Sequence, residues 1–217
     1  MKILVVKVSA LGDVVHALPA LSWIKSADEN AEIDWLVEEG FAAILDNHPL
    51  LRRVIPLQTK RWRKQGVFAS LRGALGTIRD IRAEAYDVVL DLQGNSKSGL
   101  FTGLSGASLR YGFSRAGVRE WPNLFTTNRK VSLGEQDFHI SDRSLAVARA
   151  AFPAGSEVRM AGPLPFDAAA AASVEAHLAQ VGMTSVPLVV FHYGTTWVTK
   201  LWALSSWQKL AAHLVHE

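Results

Sequence analysis

Lys2-Ile3-Leu4-Val5-Val6-Lys7-Val8, then Ser9-Ala10-Leu11-Gly12-Asp13, then Val14-Val15-His16-Ala17-Leu18-Pro19-Ala20-Leu21: these consecutive stretches open the chain, and their reading decides the fold. An apolar, β-branched run stops at a glycine-containing loop. An apolar helical segment comes next, with a carboxylate in its first turn. The pattern predicts strand, loop and helix, the opening unit of an open α/β sheet. Ligands of such sheets bind at the carboxyl ends of the strands, where helix N-termini direct backbone N–H groups at anions. Asp13 therefore stands where chemistry is possible. Pro19 falls inside the helical pattern over 13–26 and predicts a kink or an early turn there.

Working outward, strand and helix patterns alternate. Residues 31–37 read as a second strand, 39–47 as a short helix and 53–57 as a short strand. Residues 67–83 have helical spacing, with Phe68, Leu71, Leu75, Ile78 and Ile81 on one stripe. A buried strand over 86–92 turns through Gln93-Gly94-Asn95 into a helix over 96–103, followed by a strand over 109–113 and a helix over 138–151. This alternation predicts a mostly parallel sheet. The composition changes at 152–165, where Pro153, Gly155, Gly162, Pro163 and Pro165 read as a linker. Asp167 then caps a helix over 168–181, with Gly182 just past its end. Residues 186–192 read as another buried strand, Gly194-Thr195-Thr196 as a loop, and Ser205 or Ser206 as the start of a last helix. The expected organisation is a first domain over 1–152, a linker over 153–166 and the start of a second α/β domain over 167–217. One strand and two helices cannot cover both faces of a sheet, so the second domain is expected to be incomplete.

The chain has 217 residues, 49% of them hydrophobic, enough for the core of one large domain or of one domain and part of another. It has no cysteine, which excludes disulfides, thiolate metal sites and cysteine nucleophiles and fits a reducing compartment. Lys2 precedes only a short apolar run broken by Lys7, without a small-residue cleavage site, so no signal peptide is read. No apolar stretch approaches the roughly 20 residues that span a bilayer. The net charge of +3 is modest but locally concentrated.

Five places carry candidate chemistry. Asp13 reads either as a helix N-cap or as a general base for an alcohol nucleophile. The Gly-x-Gly-x-x-Gly dinucleotide fingerprint is absent beside it, which argues against a nicotinamide dehydrogenase. Lys60-Arg61-Trp62-Arg63-Lys64 places four cations around a tryptophan just after a strand. It reads either as a solvated loop or as a surface for phosphates, sugar carboxylates or acidic lipid headgroups. Nucleic acid is the rival, but one short patch without a recognised module supports it weakly. Asp91 to Lys97 forms a strand end, a glycine and a helix start, either a plain turn or a second anion-accepting position. Arg115, Arg119, Arg129 and Lys130 lie in an irregular stretch with Trp121. His139 reads as a cap or a surface histidine. Thr195, Thr196 and Lys200 follow a strand pattern and could neutralise a diphosphate leaving group. No His, Asp and Glu spacing resembles a metal site, and no serine triad is legible.

Taken in order, these segments resemble the bacterial ADP-heptose:lipopolysaccharide heptosyltransferases, and within them the type I branch. The matching pieces are Lys2 to Leu21, Asp34 to Phe41, Arg53 to Pro56, Lys60 to Lys64, Tyr86-Asp87, Asp91 to Gly94 with Lys97-Ser98, Phe125 with Asn128 to Lys130, Thr195-Thr196, and Lys200 to Trp202. The resemblance implies an α/β protein of two facing Rossmann-like domains, the GT-B glycosyltransferase type, with the second domain truncated. It implies an acceptor-binding first domain and an ADP-heptose-binding second one. Asp13 matches the family's general base, which would deprotonate a Kdo hydroxyl of Kdo2-lipid A for an inverting transfer. Gly12, Lys60, Arg61, Arg63, Lys64, Lys97 and Arg119 would contact the acceptor, and Thr195, Thr196 and Lys200 the donor. No cofactor and no obligatory metal are implied. The implied setting is cytoplasmic, with peripheral contact to anionic lipid at the inner membrane's cytoplasmic face in a Gram-negative bacterium. Ala10 departs from the family, which often carries a serine there. The incomplete second domain predicts that 217 residues alone do not turn over. The rivals are a transferase adding the second heptose or another core sugar, and a non-catalytic domain binding anionic glycolipid or polynucleotide.

Overall fold

The first elements follow the alternation: β1 (Lys2–Val6), α1 (Leu11–Val15), α2 (Pro19–Ala27), β2 (Glu32–Glu38), α3 (Glu39–Ala42), β3 (Arg53–Leu57), α4 (Thr59–Gln65), α5 (Val67–Ala83), β4 (Val88–Asp91), α6 (Ser96–Gly103), β5 (Leu109–Phe113), β6 (Arg129–Val131) and α7 (Ile140–Ala151). A 3₁₀ turn at Trp121–Phe125 precedes β6. These belong to a computed structural model that describes residues 1–156, 164, 167–184, 186–195 and 197–216. The chain divides into two compact units, Met1–Phe166 and Asp167–Glu217.

In the first unit the six strands form one sheet in the order β3-β2-β1-β4-β5-β6, with every pair parallel. β1 lies at the centre, and both sheet faces over it are covered. Its side chains alternate between two cores, as the two-residue period of a strand requires. Ile3 and Val5 join Val14, Leu21, Ile24 and Val147 on one face; Leu4 and Val6 join Ile78, Ile81 and Phe101 on the other. Covering both faces is why β1 reads as an unbroken apolar run. Connections run from β1 toward β3 on one side and from β4 toward β6 on the other. The chain direction therefore reverses between β1 and β4, and open α/β sheets form their crevice at such a reversal.

Several expectations need correcting. The helix expected over 13–26 is two helices. Pro19 is the first residue of α2, where its fixed φ suits a helix start and its missing N–H costs nothing. The helix expected over 39–47 ends at Ala42, and Asn47 adopts φ 58° in the turns beyond it. The basic run 60–64 lies on a short helix, not a loop. β6 escaped the sequence pattern because it is a three-residue edge strand in which only Val131 is buried. On α5, Ile78 and Ile81 are buried, but Phe68, Leu71 and Leu75 face outward.

A charged cluster stands at the amino edge of the sheet, away from the crevice. Buried Asp34 accepts two hydrogen bonds from Arg52, at 2.9 and 2.6 Å, and one from the Tyr86 hydroxyl, and pairs with Arg53 at 3.1 Å. Glu84 completes it, 2.8 Å from Arg52 and 3.1 Å from Arg53. Burial, then the hydrogen bond to Asp34, push the Tyr86 hydroxyl above its ordinary range. Its place makes this cluster a brace between β2, β3 and the start of β4.

The second unit contains α8 (Ala168–Gln180), a 3₁₀ turn at Val198–Lys200, and α9 (Leu204–His216). Asp167 caps α8, accepting from the N–H groups of Ala169 and Ala170 at 2.9 and 3.1 Å, and Gly182 takes φ 73° just beyond it. The strand expected at 186–192 is not formed: these residues make no ladder, and Val190 is 78% exposed. A strand exists only through its neighbours, and the described residues of this unit hold no other strand to pair with. Much of the 153–166 linker and Thr196 lie outside the described residues.

Candidate active site

β1 and β4 end side by side at the crevice, and the segments leaving their carboxyl ends are tied together. The Gln93 carboxamide oxygen accepts from the N–H groups of Val8 and Ser9 at 3.1 and 3.2 Å. Lys7, 2% exposed, donates its ammonium to the Leu92 carbonyl at 2.9 Å. Burial lowers its pKa to about 8, against the pull of Asp13 and Asp91 and with the push of Arg119 and Arg143. These contacts hold the segment from Lys7 to Ser9, and with it the start of α1, at the reversal point.

Asp13 lies in the first turn of α1 but does not cap it. The cap position is Ala10, which has no side chain able to do so. The N-cap reading of Asp13 is therefore set aside. Its carboxylate, part exposed, accepts instead from the Arg119 guanidinium at 2.9 Å. Arg119 reaches it because the Gly94 carbonyl accepts the backbone N–H groups of both Arg119 and Glu120, each at 3.0 Å. Gly94 has φ 71°, and a Cβ there would stand 3.0 Å from the Phe113 ring. Lys7, Gln93, Phe113, Arg119 and Arg143 line a small recess beneath the pair. Arg143 donates to the Gly117 carbonyl at 2.7 Å and lies over the Phe113 ring. The recess is cationic, and the base candidate stands beside it. Gly12 is exposed, with open space around its Cα.

The Asp91–Lys97 turn is built differently. Asp91 is fully buried and accepts from five donors: the Gln93 and Gly94 N–H groups at 3.0 and 2.9 Å, the Ser98 and Thr102 hydroxyls at 2.9 and 3.3 Å, and the Asn123 amide at 2.6 Å. Burial still pushes its carboxyl above the usual range. The anion position expected at the start of α6 is filled by the protein itself: Glu120 accepts from the Ser96 N–H at 2.9 Å and its hydroxyl at 2.5 Å. Asn95 and Ser98 close a reciprocal cap over the same turn. Lys97 points to buried Glu38 at 2.7 Å, which also accepts from the Thr59 hydroxyl at 2.5 Å. Glu38 thus joins the starts of α4 and α6.

On α4, Lys60, Arg61, Arg63 and Lys64 are all exposed, and the Lys60 ammonium lies 5.9 Å from the centre of the Phe41 ring. These four follow β3, on the same sheet edge as Asp13. In the second unit Thr195 is exposed, and its hydroxyl accepts from the Trp197 N–H at 3.5 Å; Lys200 is exposed in the 3₁₀ turn. His139 caps α7, its ring accepting from the Ser141 N–H at 3.3 Å, and stacks edge-on with His16. Among the described residues no three His, Asp or Glu side chains gather as a metal site requires.

The sequence reading missed Lys7, Gln93, Glu38 and Arg143. Lys7 carried a usable signal, a lysine directly after an apolar strand and inside the apolar run 3–8. Gln93 and Glu38 lay inside quoted motifs but were given no role, and Arg143 carried no signal, because each acts through a partner far away in the chain.

A parallel sheet with this order, and a part-exposed carboxylate paired to an arginine near its reversal point, define an open α/β unit with a charged pair at its crevice. The sequence profile of glycosyltransferase family 9 (heptosyltransferase) matches residues 75–217, and the chain belongs to that family. Lipopolysaccharide heptosyltransferase 1 of Pseudomonas aeruginosa is 35% identical over 218 residues, covering 99% of this chain and 58% of that protein. The structure of E. coli heptosyltransferase WaaC with ADP superposes with a TM-score of 0.77 at 30% identity, over 99% of this chain and 64% of that one. The structure of the same enzyme with ADP-2-deoxy-2-fluoro heptose gives 0.74 at 30% identity, over 99% and 65%. The chain therefore spans 58% of the length of that Pseudomonas relative.

Proposed function

We propose that this protein transfers L-glycero-D-manno-heptose from ADP-heptose to Kdo of Kdo2-lipid A, with inversion, in lipopolysaccharide inner-core synthesis. The observation that carries the reading is the Asp13–Arg119 pair at the β1/β4 reversal, where the carboxylate is held yet part exposed. Asp13 takes the proton of the attacking Kdo hydroxyl while the new bond forms at the anomeric carbon. The bond from that carbon to the diphosphate oxygen breaks, and ADP leaves with the electron pair. One base and a stabilised leaving group suffice for a single displacement, so no second carboxylate nucleophile is needed. Arg119, with Lys7 and Arg143 behind it, suits the anionic acceptor sugar, and Gly12 leaves room above the loop. Lys97 and the α4 cations suit the acceptor's carboxylates and phosphates. Thr195, Thr196 and Lys200 are assigned to the ADP diphosphate through the family resemblance. The reaction as read uses no cofactor and no obligatory metal. A lipid-borne acceptor brings the protein to the cytoplasmic face of the inner membrane as a peripheral protein.

The test is ADP release by the full-length gene product from ADP-heptose and a Kdo-terminated acceptor, for wild type and Asp13→Asn. Acceptor-dependent release that collapses in the variant, with acceptor binding retained, is the expected result. Release that survives in Asp13→Asn moves the base elsewhere. Release only with an acceptor that already carries one heptose favours the second transferase of the core, and none from a folded wild type overturns the transferase reading.

A further inference from the structure

α5 has two apolar faces, and only one has a partner within its unit. Ala74, Ile78 and Ile81 pack on the sheet. Phe68, Leu71 and Leu75 lie on the neighbouring face, 89%, 57% and 55% exposed. Arg72 and Arg79 fall on that same outward stripe and are exposed as well. The tryptophan of the basic run is not part of it. The Trp62 indole is pressed onto α5 so closely that a Cβ on Gly73 would stand 2.3 Å from its ring. Trp62 therefore anchors α4 to α5, and the exposed apolar groups beside the cations belong to α5.

Charge identifies the occupant. Residues 59–83 carry seven cationic side chains and one carboxylate, Asp80, which pairs with its neighbour Arg79 at 3.1 Å. A covering protein surface would have to match that charge with acids of its own. An apolar stripe flanked by arginines, with four more cations on the adjoining α4, is what an interfacial helix presents to anionic headgroups, its apolar side entering the acyl boundary. Nucleic acid would engage the cations and the Phe68 ring but leave Leu71 and Leu75 in water.

We propose that α4 and α5 form a membrane-docking arm, with Phe68, Leu71 and Leu75 entering an anionic bilayer surface and Arg72, Arg79 and the α4 cations contacting its phosphates. The inference rests on the proposed function in one respect, that the acceptor is lipid-borne, and it names the surface that meets the lipid.

The test uses vesicles without any acceptor: phosphatidylcholine alone, or an equal mixture with phosphatidylglycerol. Flotation should bring the protein up with the mixed vesicles and not with the neutral ones. Phe68→Ser/Leu75→Ser and Arg72→Glu/Arg79→Glu should each weaken partition about tenfold or more, the first by removing inserted apolar area and the second by reversing charges at an anionic surface. All four positions are exposed, so circular dichroism should be unchanged. Phe68→Cys introduces the only thiol among the 217 residues, and an environment-sensitive fluorophore there should shift to the blue on the mixed vesicles. Equal partition of wild type and both double variants overturns the docking arm. So does a fluorophore already shielded before lipid is added, or a dimer that the serine variant abolishes. Transfer to a soluble, lipid-free Kdo acceptor should be unchanged in both double variants; loss there reassigns the arm to acceptor binding. Vesicle binding without any transfer activity would overturn the proposed reaction and leave the docking arm standing.

Discussion

Two aspartates stand near the carboxyl ends of the neighbouring central strands β1 and β4, one in the helix that follows and one on the strand itself, and they have opposite fates. Asp91 closes β4, is wholly buried and is saturated by five donors from the turn, α6 and the 3₁₀ turn. Asp13 follows β1, is part exposed and has one partner, Arg119, at 2.9 Å. A saturated, buried carboxylate has no lone pair to offer a substrate and organises the backbone around it. A carboxylate held by one arginine at an open edge can still accept a proton. Both stand at the carboxyl edge of the sheet, Asp91 as the last residue of β4 and Asp13 in the first turn of α1; they differ in how many donors the surrounding chain supplies.

Substitution should separate the two roles. The largest effect is expected at Asp13→Asn in the full-length protein: a fall in kcat of about a thousandfold, with urea unfolding unchanged, since general-base removal acts on rate. Asp91→Ala should do the reverse, lowering unfolding free energy by about 4 kcal/mol because buried donors lose their acceptor. If Asp91→Ala proved stable and inactive, Asp91 would join the chemical group.

Lys7 sharpens the comparison through pH, since both carboxylates act on it electrostatically. Its folded pKa, about 8, lies below the ordinary lysine value, so between pH 8 and about 10.5 the unfolded chain binds more protons than the folded one. Stability should rise with pH across that window, and the burial penalty should apply in full below it. The gain, about 3 kcal/mol, should be absent in Lys7→Gln, as read from urea unfolding at several pH values. The smallest effect is expected at Gly94→Ala, about 1–2 kcal/mol of stability, from the positive φ and the crowding against Phe113. Because Gly94 also holds the backbone of Arg119, the same variant should lower kcat/KM for the acceptor.

The legible parts of the fold were those whose signal is local. β1 reads as buried because Ile3 to Val6 are all apolar, and Asp167 reads as a cap because it directly precedes an alanine-rich helix. Residues 86–92 and 186–192 carry equally apolar patterns, yet only the first forms a strand, Val88–Asp91, between β1 and β5. The second lacks a ladder partner among the described residues of its unit. The α5 stripe fails for a related reason. Helical spacing places Phe68, Leu71, Leu75, Ile78 and Ile81 near one another, but only Ile78 and Ile81 meet the sheet.

The site divides in the same way. Asp13 and the 60–64 cations could be found in the sequence because strand, turn and charge patterns are continuous in the chain. Arg119 could be named, but not as the partner of Asp13, since 106 residues separate them. The sequence by itself determined an open parallel α/β unit, a carboxylate after its first strand and a basic run after its third. Tertiary structure alone decided which aspartate is saturated, that Glu120 occupies the start of α6, that Lys7 is buried beneath the loop, and which face of α5 is left to solvent. Periodicity and composition report what a segment can do. Burial, charge partnership and hydrogen-bond saturation depend on distant segments, and only the folded chain brings those together.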